Sequence, residues 1–322
     1  MLLTYQDSAS IPGELHNFYS LAFDALYFRH DALKEGFRRP TKTGLPVDKG
    51  RILMSAFSLV TYIKQKTVFT KTEVCDYLGK AISLAGMTVD PLELLADLIS
   101  AFCMLLKDGT QYTFTHRSFQ EYFAALYLVH AKEDQQQAIC KQFIDRALHD
   151  RVLDLAHGIN PDLIETLVIL PFLERIREKT KYMGKFTKAG FFRYLSLFFD
   201  RISLGDFNYT DIMYCYRKQP DGWHYHSLMN FTKRRFDLNI TRTKANKVKN
   251  EQAKDRLISY LKSRENNEIK ISAIGRNREL AKDLTELSLY FKREFFDMMK
   301  LLDKLKLRHE KQVASFNDLL KG

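Results

Sequence analysis

Between residues 51 and 116 the chain carries three helical stretches followed by a tight hairpin, and this order restricts the fold more than any other feature. RILMSAFSLVTYIKQK (51–66) reads as a helix by pattern and length. TKTEVCDYLGKAISLAG (70–86) opens with Thr70 and Glu73 at the spacing of a capping box. In that motif the hydroxyl takes the N3 amide proton and the carboxylate reaches back to the N-cap amide. In DPLELLADLISAFCML (90–105) Asp90 is placed as N-cap and Glu93 at N3. Pro91 falls at N1, where a missing N–H costs nothing. LLKDGTQYTFTH (105–116) then places Asp108-Gly109 as a two-residue turn between β-prone arms. Three helices followed by a hairpin is the element order of a winged helix.

The next segment, FTHRSFQEYFAALYL (114–128), starts another helix. Ser118 and Glu121 repeat the S-x-x-E spacing, and Phe119, Tyr122, Phe123 and Leu126 share an apolar face. His116 sits between the hairpin and this helix. Its residue type and position leave two roles open: contact with a ligand, or a plain strand-to-helix junction, which is the commoner use.

The remainder reads as mainly helical, in keeping with only 14 Gly and 7 Pro in 322 residues. Residues 11–33 repeat apolar positions at helical spacing, and the loop 36–50 makes a boundary. Helices are expected near 134–148, 161–179, 189–201 and 251–264. The stretch 205–240 is the least helical and is expected to carry a few strands. A long amphipathic helix closes the chain over 279–320. Its stripe of Leu280, Leu284, Leu287, Phe291, Phe295, Met298, Leu302 and Leu305 fits intramolecular packing better than a coiled-coil seam. The expected class is therefore mainly α: a helical subdomain (1–46), a winged helix (47–131) and a mostly helical, sensor-like C-terminal region (132–322) that ends in a long helix.

Several classes of function are excluded or disfavoured. The phosphate-binding loop G-x-x-x-x-G-K-[ST] is absent, and so are G-x-S-x-G and H-E-x-x-H. No catalytic residue is nominated, and this chain by itself is not read as an enzyme. The four cysteines form no C-x-x-C pair, which argues against a zinc site or a disulfide scaffold and fits a reducing compartment. His224 and His226 of WHYH (223–226) would face one side if extended, but they lack a third ligand, so no metal site is assigned. There is no secretory signal, and the longest apolar run, 163–173, is too short to cross a bilayer. A cytoplasmic protein without a membrane partner is expected. Charge is uneven: residues 1–150 hold 16 Lys/Arg against 17 Asp/Glu, while 151–322 hold 34 against 22. The excess peaks over 233–249, a candidate nucleic-acid contact or a solvated loop.

Phe114, His116, Ser118, Phe119, Gln120, Glu121, Tyr122, Phe123, Ala124 and Ala125 closely resemble the signature that closes the winged helix of NACHT-type STAND NTPases. That family of signalling ATPases includes animal NLR immune receptors and bacterial anti-phage proteins. Residues 1–39 look like the helical segment that follows the nucleotide-binding core in the bacterial members. The likeness covers about residues 1–131, and 132–322 resembles their short C-terminal region only loosely. It implies a C-terminal portion of an anti-phage NACHT protein whose winged helix gates the ADP/ATP state and oligomerisation. His116 would be the sensor of the ADP β-phosphate. Walker A and B motifs are not in this sequence, so ATP/ADP with Mg is implied for an intact parent and no cofactor for this chain alone. The implied partners are an upstream NACHT core, further copies of the protein and a phage-derived trigger. The alternative is a stand-alone basic winged-helix protein that binds nucleic acid. Against it, residues 90–105 are acidic and apolar, and Lys107 is the hairpin's only cation before Arg117.

Overall fold

The computed structural model describes residues 14–32, 41–144, 146–205, 212–216, 221–238, 247–264 and 266–321, without the side chains of 28–32, 221–224, 247–250 and 321. The chain divides into two compact units, Met1–Ile164 and Glu165–Gly322. The fold is mainly helical with two small antiparallel sheets, as the sequence leads one to expect.

The first unit contains α1 (Leu15–Ala32), α2 (Val47–Ile63), β1 (Val68–Thr70), α3 (Lys71–Leu84), α4 (Pro91–Ser100), β2 (Leu105–Asp108) and β3 (Gln111–Phe114). They are followed by α5 (Arg117–His130), α6 (Glu133–Ile144), α7 (Val152–Ile159) and the single turn α8 (Pro161–Ile164). The three helices and the hairpin stand in the expected order. The three-residue β1, too short to show periodicity, adds a third strand, and the sheet runs β1-β3-β2. Thr70 and Glu73 form the anticipated capping box, and Asp90 accepts from the amides of Leu92 and Glu93 ahead of Pro91. The hairpin turn lies one residue later than expected. Asp108 pairs with Gln111, and Gly109 (φ 56°) and Thr110 make the bend, because the positive φ must fall on the residue without a Cβ. The core is aromatic, with Phe57 against Phe69 and Phe114 at 5.8 and 5.5 Å, and Phe23 against Phe123 at 5.2 Å. Buried Asp97 on α4 accepts from Lys42 N (2.7 Å), Thr43 N (3.0 Å) and Thr43 Oγ1 (2.6 Å), pinning the entry to α2.

The second unit begins with a π-helical stretch, Glu165–Ile169, that leads into α9 (Leu170–Thr180). Pro171 has no N–H to donate and its ring crowds the preceding turn, so a regular ladder cannot run through this point. Then come α10 (Lys188–Phe198), β4 (Phe199–Leu204), β5 (Ile212–Tyr216), α11 (Asp221–Arg235), α12 (Lys247–Lys262), β6 (Glu268–Lys270), α13 (Ile271–Ile274), α14 (Arg278–Leu287) and α15 (Leu289–Lys321). The sheet order is β5-β4-β6.

Three expectations need correcting here. Residues 199–201 belong to β4 rather than to the preceding helix, since Phe199 pairs with Tyr216 and Arg201 with Cys215. Within 205–240 a strand, β5, stands where strands were expected, but a full helix, α11, occupies 221–235. The closing helix is two helices. Ser288 breaks it at φ −104°, its hydroxyl hydrogen-bonded to Tyr214 on β5, while its carbonyl accepts the amides of Phe291 and Lys292 to start α15. The apolar stripe does pack within the unit: Leu284, Phe295, Met298, Leu302 and Leu305 are buried.

Candidate functional site

Thr115, the residue after β3, is fixed twice to the segment before β2. Its amide donates to Met104 O at 3.0 Å and its hydroxyl to Cys103 O at 2.7 Å. The next residue, His116, is extended (φ −151°, ψ 136°) and exposed, and its own Nδ1 accepts the Ser118 amide at 3.2 Å. His116 is therefore the N-cap of α5, with Arg117 at N1 and Ser118 at N2. The expected cap at Ser118 with Glu121 closing a box is replaced by an imidazole cap. The Ser118 hydroxyl also contacts Nδ1. A ring nitrogen that accepts an amide proton carries none itself, so the neutral ring bears its proton on Nε2.

Glu121 is drawn away from the helix start. Its carboxylate accepts from Arg151 N at 3.3 Å and lies 3.3 Å from Arg117 Nε. Burial, then the nearby Asp150 charge, raises its pKa above the ordinary 4.5. Asp150, raised above 3.8 chiefly by burial, accepts from Tyr62 Oη at 2.5 Å. Burial and the same carboxylate push the Tyr62 hydroxyl far above its ordinary value, so it stays a donor. Arg146 stacks over the Tyr62 ring at 4.0 Å and donates to Tyr62 O at 2.8 Å. Gln120 donates to Thr61 Oγ1 (2.9 Å) and Lys66 O (2.8 Å). The polar residues that follow His116 are thus structural, and they hold the junction to α2 and to residues 150–151. An exposed Nε2–H at the start of a helix suits an anion oxygen. Among the described residues the fit is to a single contact with a phosphate, without the rest of a nucleotide cradle.

The other nominated residues fare differently. His224 lies outside the described side chains. His226 lies on helix α11 and not in an extended segment. Its ring is 4.5 Å from that of Tyr216, and burial lowers its pKa. Of the basic run 233–249, residues 239–246 and the side chains of 247–249 are outside the described set. Lys233 is turned inward, donating to Glu294 Oε2 (2.7 Å) and Tyr290 Oη (2.6 Å). Burial works to lower its pKa, and the Glu294 charge and hydrogen bond outweigh it. Among the described residues the four cysteines form no disulfide, and burial pushes the Cys140 thiol up to about 12. Among the described residues no helix is long and apolar enough to cross a membrane.

Comparison with known families reaches the second unit. The model of the short NACHT-associated C-terminal domain, family 13, matches residues 159–320. No curated protein and no solved structure matches the chain. The match takes in half of the sequence, begins close to the division between the units and runs nearly to the end of α15. The chain belongs to the family of short NACHT-associated C-terminal domains.

Proposed function

We propose that this chain is the C-terminal part of a NACHT-type STAND NTPase of anti-phage defence. In this reading a helical subdomain (1–46) and a winged helix (47–131) gate the ADP/ATP state and oligomerisation, and 132–322 responds to a phage-derived trigger in the cytoplasm. The observation that carries it is the His116 cap, taken with the NACHT association of the second unit. With Nδ1 held by the Ser118 amide, Nε2–H is the ring's outward donor, and the doubly anchored Thr115 fixes where it points. A β-phosphate oxygen of ADP, bound with Mg by an upstream NACHT core, supplies the acceptor. The bond would exist only while the winged helix lies against that core. ADP would then favour the resting arrangement, because only that arrangement offers it this contact.

The test joins the chain to a NACHT nucleotide-binding core in one polypeptide. His116→Ala should speed release of a fluorescent ADP analogue by roughly ten-fold, the worth of one charge-assisted hydrogen bond. The chain by itself should show no ATP turnover. An unchanged release rate in H116A, or robust hydrolysis by the chain alone, would sink the reading. The competing winged-helix DNA reader is weakened by α4, whose exposed positions Leu92, Glu93 and Ser100 include no cation.

A further inference from the structure

A groove in the second unit is lined by twelve residues, five of them cationic and none acidic: Arg175 and Lys179 from α9, Lys188 and Arg193 from α10, and Arg276 after α13. Its volume is about 1010 Å³. All five cations are exposed, and among the described residues none forms an ion pair. Lys188 Nζ reaches only the Arg278 carbonyl (3.2 Å) and Arg193 only that of Thr180 (3.3 Å). Neutral acceptors satisfy protons without cancelling charge.

The arrangement breaks local rules at two places. Arg175 and Lys179 are like charges at i, i+4, which repel along a helix. Lys188 puts a cation in the first turn of α10, at the positive end of the helix dipole. Such conflicts in a folded chain are expected where a ligand supplies the missing charge. The floor includes Phe192 and Tyr225, and the Arg175 guanidinium lies 5.6 Å from the Tyr225 ring centre. Both rings are nearly buried, so bases find little face to stack on and recognition rests on phosphates.

We propose that this groove binds a short stretch of single-stranded nucleic acid through its backbone. The volume is at the upper limit of small-ligand pockets. Cations distributed over three segments of chain need phosphates set apart along a strand, whereas those of a free nucleotide are contiguous. A duplex is convex and stiff, and a concave recess does not admit it. The inference stands apart from the NACHT reading, and its test uses this chain alone.

The full chain is titrated into a fluorescein-labelled oligo(dT) or oligo(U) of about 15 nucleotides at about 50 mM salt, with anisotropy as readout. Binding should weaken with salt at a log–log slope approaching −3.5, at roughly 0.7 per phosphate neutralised on a single strand. The double variant Arg175→Glu/Arg193→Glu should lose about ten-fold or more in affinity and flatten the slope by about 1.4. Lys300→Glu/Lys304→Glu, the same charge change at exposed positions outside the groove, should stay within about two-fold. Arg276→Ala should weaken binding with an unaltered circular dichroism spectrum. Absence of binding by the parent chain, or equal losses in the two double variants, overturns the proposal. So does displacement by micromolar ATP, which points to a free nucleotide, or stronger binding to duplex of the same length.

Discussion

The two units handle buried charge in different ways. In the first, Asp97 faces two backbone amides and a hydroxyl, while Glu121 and Asp150 meet cations from their own stretch of chain, Arg117 and Arg146, each four residues before its partner. In the second, each deeply buried carboxylate is clamped by a cation from another element: Glu294 by Lys233, Asp283 by Arg256, Glu165 by Arg308. A carboxylate held by neutral donors pins a nearby loop, and its loss releases that loop to water. A carboxylate paired with a cation joins distant helices, and losing one member leaves a charge stranded in the interior. The pairing also affects the surface. Acids committed inside the second unit are not available to neutralise the groove, which keeps its positive charge.

The largest break in this contrast should come from Lys233→Met. It leaves Glu294 buried beside Tyr194 with no cation, at a cost of about 3–5 kcal/mol. Hydrogen exchange should show the loss on amides of the second unit, and Lys233→Met with Glu294→Gln should recover most of it. If the single variant is no less stable than the parent, the clamp is not what holds these helices. Asp97→Ala should cost less, about 2–3 kcal/mol, and act on the first unit. Amides of 42–46 should lose protection first, because the freed donors can turn to solvent. Equal loss across α2 and α4 would mean that Asp97 supports the whole core rather than one loop.

The smallest effect concerns Glu121 and Asp150, the first unit's own poorly compensated acids. Their folded pKa values lie above the ordinary 4.5 and 3.8, mainly through burial. The folded state thus keeps protons that the unfolded chain has released. Their stabilisation is complete below those ordinary values and is lost as pH rises through the folded ones. Glu121→Gln should therefore gain on the parent as pH rises above 4.5 in urea melts run at several pH values. A constant gap between the two curves would show that ionisation of Glu121 does not oppose folding.

Much of the first unit was legible because its signals are local. Thr70 with Glu73, and Asp90 with Pro91, act within one turn and appear as read. The S-x-x-E at Ser118 misled because Glu121 found other partners, the Arg151 amide thirty residues on and the Arg117 guanidinium one turn back, while a histidine two residues before Ser118 supplied the cap. A three-residue β1 has no period to detect. In the second unit the important juxtapositions are tertiary. The run at 233–249 drew attention by density, yet Lys233 is spent internally on Glu294. The groove cations are scattered from 175 to 276 and are unremarkable one by one. Ser288 looks helical by pattern, and only Tyr214 on a strand explains the break there.

The last turns of α15 differ from the rest of that helix. The buried stripe stops at Leu305, and from Glu310 to Leu320 every position is exposed, including Val313, Phe316 and Leu320. These last three turns are helical through propagation from the packed part alone, and a segment of that length has little helical stability of its own in water. Their backbone hydrogen bonds should open and close independently of the fold beneath, a local event rather than a global one, because no side chain there is buried. Cutting the chain near 310 would then remove helix signal in the far ultraviolet while leaving the melting temperature of the second unit where it was.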